Sequence, residues 1–177
     1  YYSHHPELLN NRPVPEETTS QVFCDPYFLQ LHEFDTTQAG DEQFLCNLRN
    51  LADSYSSRFL LGELFLQDFI GSLPRYCEGN TKLHTAYSFV FLDDWKGKAW
   101  FQKNIESMDY DRTTPTWALS NHDTIRVASR WFPEDSSAEK AICITALLFS
   151  LPGIICLYQG EELGLPQASL RYEEIRD

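Results

Sequence analysis

Two short apolar runs in this chain each end on an acid. Trp117-Ala118-Leu119 leads through Ser120 into Asn121-His122-Asp123, and Arg58-Phe59-Leu60-Leu61-Gly62 delivers Glu63. Apolar runs of this length read as buried strands. Polar and titratable residues at the carboxyl end of a buried strand are where α/β proteins carry chemistry. Glu63 either starts a surface loop or serves as a general acid. Packed among Leu61, Leu64 and Phe65, its carboxyl would lose hydration and its pKa would rise, as a proton donor near neutral pH requires. Asp123 either caps the turn at Thr124 or stays ionised and faces developing positive charge or substrate hydroxyls. His122 beside it is placed to donate to a hydroxyl. Arg126 either anchors a carboxylate of its own chain or reaches a ligand. Two carboxyl groups on different strands, in an aromatic-rich and acidic surround, fit glycoside hydrolysis.

Other chemistries find little support. Asp and Glu outnumber Lys and Arg by 26 to 14, for a net charge of −12, which is the opposite of a nucleic-acid footprint. The five cysteines, Cys24, Cys46, Cys77, Cys143 and Cys156, are widely spaced and form no C-x-x-C pair, so neither zinc nor redox chemistry is indicated. They fit a reduced, cytoplasmic protein, with Cys143 and Cys156 buried in apolar runs. His4 and His5 are adjacent and cannot share a helix face as H-x-x-x-H does; no metal or other cofactor is expected. No G-x-S-x-G elbow or Cys–His context favours acyl transfer, and no G-x-G-x-x-G or G-K-[ST] awaits a nucleotide phosphate. Ala141 to Tyr158 is uncharged, but Pro152-Gly153 splits it into a helix and a buried strand, too short on either side to span a membrane. Aromatics at 14% are on the high side, as in sites that stack on sugars. The chain begins at Tyr1 and its single Met is Met108, so a longer polypeptide is expected around it.

The elements that must position these residues alternate. Residues 1–40 hold four of the nine prolines and read as a long loop, with a helical turn near Pro26 to Leu31. Asp41 to Tyr55 is an amphipathic helix with Asp41 as N-cap and Phe44, Leu45, Leu48, Leu51, Ala52 and Tyr55 inward. Strands are expected at Arg58–Leu64, Tyr87–Leu92, Thr116–Ser120 and Gly153–Tyr158. Helices are expected at Asp68–Tyr76, Lys98–Met108 and Ser136–Ser150, the last opened by a Ser136/Glu139 capping box; Thr124–Asp135 is loop with one helical turn. Such alternation gives a parallel sheet with covering helices. Every polar cluster lies after a strand, as on the catalytic face of a (β/α)8 barrel, and four strands are half of one. Glu161 and Glu162, after the fourth strand, read as structural, closing the barrel.

Three stretches carry a resemblance. F-L-L-G-E-L (59–64), A-L-S-N-H-D-T-I-R (118–126) and L-P-G-I-I-C-L-Y-Q-G-E-E-L-G-L (151–165) resemble motifs of the α-amylase superfamily, glycoside hydrolase family 13, in the family's order and spacing. They look most like those of bacterial α-glucosidases and oligo-1,6-glucosidases. Tyr1–Pro13 is similar to the loop after the fourth barrel strand, and Leu83–Phe89 to the sixth-strand region, so residues 1–40 would be that loop and 41–177 would run from the fourth helix to the loop after the eighth strand. The resemblance implies strands five to eight of a (β/α)8 barrel and a retaining double displacement on small α-glucosides. Glu63 matches the family's general acid/base, Asp123 its transition-state-stabilising carboxylate, His122 its histidine for sugar hydroxyls, and Arg126 an arginine near the aglycone. The family's nucleophile motif, D-G-F-R-x-D, does not occur here, and the resemblance places it just before Tyr1. Isomerases and transglycosylases share these motifs; non-catalytic transporter subunits have typically lost the carboxylates that are kept here.

Overall fold

The computed structural model describes residues 4–15, 29–64, 66, 68–134, 137–169, 171 and 173. The chain divides into two compact units, Tyr1–Arg58 and Phe59–Asp177. Within the first, the expected long loop contains two short strands, β1 (Arg12–Pro13) and β2 (Gln30–Leu31), paired antiparallel. Val14 N–H extends the ladder to Leu29 O at 3.0 Å, and Arg12 Nε donates to Glu33 at 2.7 Å. Two-residue strands are too short to leave a periodic signal in a sequence. Of the helical turn expected near Pro26 to Leu31, residues 26–28 lie outside the described residues, Leu29 is in a 3-10 turn and Gln30–Leu31 is strand.

Helix α1 spans Ala39–Asp53 and starts two residues before the expected Asp41. Its N-cap is Gln38, and Asp41 caps from inside the helix: its carboxylate accepts Gln38 N–H at 2.8 Å, one half of a capping box. Leu45, Arg49 and Ala52 are buried, whereas Phe44, Leu51 and Tyr55 are exposed. The buried arc is turned from the most apolar arc toward Arg49, whose guanidinium bonds to Asp53 one turn on at 2.9 Å.

The second unit is built on a four-stranded parallel sheet whose spatial order is the sequence order: β3 (Leu61–Glu63), β4 (Thr85–Tyr87), β5 (Thr116–Trp117) and β6 (Ile154–Ile155). Helices α2 (Phe69–Cys77), α3 (Lys98–Glu106), α4 (Val127–Trp131) and α5 (Ala138–Phe149) fall between and after the strands. Asp68 caps α2, accepting Gly71 N–H at 3.0 Å. Helix α5 begins after Ser137; Ser136, expected to cap it, lies outside the described residues.

The strands are shorter than expected. The run before Glu63, expected to be buried, leaves Phe59 57% and Leu61 50% exposed, because β3 lies at the edge of the sheet, and a further expectation fails. Tyr87–Leu92 is not a strand: β4 ends at Tyr87 and Val90–Leu92 is a 3-10 turn. Ser88 N–H makes a last bond to Thr116 O at 2.9 Å, and its hydroxyl then accepts Val90 N–H at 3.3 Å, turning the chain. Phe91 and Leu92 are buried by that turn, so an apolar run produced core without producing strand. Gly153 is required where β6 begins. Its φ is +125°, and a Cβ there would stand 2.6 Å from Pro115 O, the acceptor of Ile154 N–H at 2.9 Å.

Part of the aromatic content forms this core. Trp117 is fully buried, and its indole donates to Pro152 O at 2.7 Å. Phe91 lies between it (centroids 5.2 Å) and Phe101 (4.5 Å), and Trp131 packs on Trp95 at 5.0 Å. Cys143 is exposed and Cys156 half-buried, against the expectation of two buried thiols. Cys143 shares an outward face of α5 with Ile142 and Phe149, both exposed. No helix among the described residues is long and apolar enough to cross a membrane.

Candidate active site

Parallel strands in register present their last residues at one edge of the sheet. Glu63 is the Cα partner of Tyr87, and Tyr87 that of Thr116, so the segments leaving β3, β4 and β5 emerge side by side. Between them and the exit of β6 lies a cavity of about 370 Å³. It is lined by Leu61, Gly62, Glu63, Tyr87, Ser120, Asn121, His122, Cys156, Leu157 and Tyr158. Its volume lies within the range of small-molecule sites.

Glu63 and His122 thus share one hollow. Asp123 and Arg126 stand outside its lining. Asp123 is adjacent to His122, with 3.4 Å between the imidazole Nε2 and a carboxylate oxygen, and both are well exposed. Burial first, then the charges of Cys156, Glu161, Glu63 and Asp123, raise the Tyr87 pKa well above the ordinary tyrosine value. The Glu63 and Asp123 carboxylates therefore both act on one phenol.

Asp123 caps no helix. The turn is closed by Asn121, whose side-chain oxygen accepts Asp123 N–H at 3.1 Å and the Thr124 hydroxyl at 2.8 Å, an Asx turn that leaves the Asp123 carboxylate outward. The Arg126 guanidinium makes no ion pair with a carboxylate among the described residues; it donates to Gln159 O at 2.8 Å and lies 4.9 Å over the Tyr158 ring. It touches the cavity wall from behind. Glu63 is exposed at the end of β3, not packed among apolar side chains. Leu61 is itself half exposed, and Phe65 lies outside the described residues.

The buried carboxyl of the site is instead Glu161. Burial pushes its pKa up, opposed by hydrogen bonds from the Ser120 hydroxyl and Tyr158 N–H and by the charges of Arg130 and Arg126. Its contacts, Ser120 Oγ at 2.9 Å and Tyr158 N–H at 3.2 Å, agree with the structural role read from the sequence. Glu162 is exposed. Tyr87, Ser120, Cys156 and Tyr158 were not singled out in the sequence. Tyr87 alone had a usable signal, as the polar tip at the edge of an apolar run. No cluster of His, Cys, Asp and Glu suited to a metal occurs among the described residues.

A parallel α/β sheet with its polar residues gathered at the carboxyl ends of the strands is the architecture of a (β/α)8 enzyme. The chain belongs to the α-amylase family: the family's profile, described as the α-amylase catalytic domain, matches residues 7–177. It is 34% identical over its whole length to a probable α-glucosidase of Rhizobium meliloti, covering 34% of that protein. It is 39% identical to maltase A1 of Drosophila melanogaster over 97% of this chain and 31% of that one. Among solved structures, the α-glucosyl transfer enzyme XgtA superposes with a TM-score of 0.86 at 35% identity, over 98% of this chain and 33% of that enzyme. The chain thus spans about a third of the length of these relatives.

Proposed function

We propose that this chain is the second half of a retaining α-glucosidase-type barrel, and that within a longer polypeptide it acts on α-glucosidic bonds of small α-glucosides. The observation that carries the reading is the shared cavity: Glu63 and His122 line it, with Asp123 beside His122, in a chain of the α-amylase family. In the first step Glu63 gives its proton to the glucosidic oxygen as the bond from that oxygen to C1 breaks, while a carboxylate outside this chain forms an ester to C1. In the second, Glu63 takes a proton from water as the water oxygen attacks C1 and the ester bond opens, which restores both groups. Asp123 remains ionised and supports the oxocarbenium-like transition states. His122 donates to a sugar hydroxyl. Arg126 holds the wall at Tyr158 and Gln159, on the aglycone side.

Glu63→Gln in the complete enzyme is expected to abolish hydrolysis of maltose and isomaltose, whose leaving groups need protonation. An aryl α-glucoside with a good leaving group is expected to retain its first step. Undiminished hydrolysis of the disaccharides would remove Glu63 from the acid role. The likeness to a glucosyl transfer enzyme favours a second reading, in which a sugar hydroxyl replaces water in the second step. Product analysis after feeding maltose, isomaltose or sucrose separates the two: free glucose marks hydrolysis, and longer or isomeric saccharides mark transfer.

A further inference from the structure

The loop that carries His122, Asp123 and Arg126 runs from residue 121 to residue 126, and one hydroxyl fastens both of its ends. Ser120, on the near side, is fully buried. Its Oγ accepts the amide of Val127, on the far side, at 2.9 Å. The hydroxyl proton goes to Glu161 Oε1, also at 2.9 Å. The other oxygen of Glu161 accepts Tyr158 N–H at 3.2 Å. Glu161 is itself buried, at 5% exposure. Ser120 and Tyr158 both line the cavity, so the carboxylate joins two of its walls from behind. Arg126 adds a second tie between the same segments, from the loop to Gln159 O at 2.8 Å. The Tyr87 hydroxyl holds Ser120 O from the cavity side at 3.2 Å.

An acid in this place is costly, because burial works against its charge, and an uncharged residue of the same shape would avoid that cost. The polarity of the relay explains the choice. A carboxylate only accepts, so Ser120 must donate to it, and the serine lone pairs are then committed to Val127 N–H. A glutamine offers both a donor and an acceptor. If its oxygen faces Ser120, its NH2 opposes Tyr158 N–H; if reversed, the NH2 donates to the serine oxygen and the serine hydroxyl proton loses its acceptor.

We propose that Glu161 is a positioning residue: through the Ser120 hydroxyl it fixes the 121–126 loop, and with it His122 and Asp123, against the wall at Tyr158. The proposal rests on the reading of Asp123 given above. The test is a double-mutant cycle in the complete enzyme, with Glu161→Gln, Ser120→Ala, Asp123→Asn and the two combinations with Asp123→Asn, read as kcat and KM on an aryl α-glucoside. Misplacing a catalytic group by about 1 Å costs on the order of 100-fold. Glu161→Gln and Ser120→Ala are therefore each expected to lower kcat by roughly 10- to 100-fold, with a smaller change in KM. In the Asp123→Asn background the same substitutions are expected to cost less than about 3-fold, because residues that act through one another are not additive. Wild-type kcat in Glu161→Gln, or an equal loss in both backgrounds, overturns the proposal. If Glu161→Gln does not fold, Ser120→Ala, which removes a single oxygen, is read in the same way. Loss of fold in both overturns it, since the relay then holds the domain and not the loop. Near-normal turnover by Asp123→Asn alone would instead refute the parent reading, and the positioning role with it.

Discussion

Arg130 makes the size of a buried polar clasp measurable. Its guanidinium donates to four backbone carbonyls: Leu119 O at 2.7 Å and Phe91 O at 3.0 Å in sheltered positions, and Ile125 O at 2.9 Å and Asp93 O at 3.2 Å nearer solvent. Burial lowers its pKa, while Asp94, Asp93 and Glu161 oppose the shift. The clasp joins the exit of β5 to the 3-10 turn after β4, and it holds both Leu119 and Ile125, which flank the 120–124 turn. Hydrogen bonds to a charged group contribute about 1.5–3 kcal/mol each when sheltered. The low end of that range suits a half-buried group, and the two solvent-side bonds add little. Arg130→Met is thus expected to lower the unfolding free energy of the protein by about 3 kcal/mol. Arg130→Lys keeps the charge but has a single nitrogen that cannot serve four carbonyls, so it is expected to recover less than half of the loss. Urea denaturation followed by tryptophan fluorescence suits the measurement, because Trp131 packs beside the clasp. Arg112→Met is the control: Arg112 pairs with Glu78 and Asp109 on the exposed surface, where ion pairs contribute little. If Arg130→Met proves no less stable than Arg112→Met, water satisfies those carbonyls and the reasoning fails.

Two further outcomes are expected. Gly153→Ala places a methyl against Pro115 O and forces a strained φ, which is expected to cost about 2–4 kcal/mol. Gly97→Ala, with a φ of +94° and open space around it, is expected to cost only about 1–2 kcal/mol in the same assay; equal losses would show that the contact with Pro115 does not matter. Burial pushes the Cys77 thiol up to about 12. Only the thiolate alkylates readily, so iodoacetamide at pH 8 is expected to leave Cys77 unmodified in the native protein and to label it fully in urea, with native labelling rising only as the pH approaches the raised value. Rapid native labelling at pH 8, read by peptide mass mapping, would contradict the burial of Cys77.

The order of the elements was legible without coordinates because burial imposes a period on a sequence. The run Trp117-Ala118-Leu119 is fully buried, as its apolar character implies, whereas Phe59 and Leu61 before Glu63 are exposed on the edge strand β3; alternation with amphipathic stretches implied parallel strands. The polar clusters at the strand ends marked the edge of the sheet where Glu63 and His122 meet. Element ends were less legible, since they depend on single hydrogen bonds. Ser88 turns the chain where its neighbours Tyr87 and Phe89 read as continuing strand, and Gln38 opens α1 where Asp41 is the better capping residue by type. The aromatic content divides in a way composition does not show, with Tyr87 and Tyr158 at the cavity and other rings in the core. Composition counts rings but cannot say that Phe91, Phe101, Trp117 and Trp131 stack on one another and not on a sugar.

The sequence by itself determined which residues are acids and the order of strands and helices, and hence that Glu63 and His122-Asp123 follow strands in a fold of the α-amylase family. Tertiary structure decided which carboxyl is buried and what holds the loop in place. Glu63 is open and Glu161 is enclosed, although both follow an apolar run and a glycine, because solvation is set by what packs across from a residue and not by its neighbours in the chain. The relay from Glu161 through Ser120 to Val127 joins positions 41 and 7 residues apart, and no local pattern encodes such a partnership. It exists only once parallel strands have brought their exits side by side.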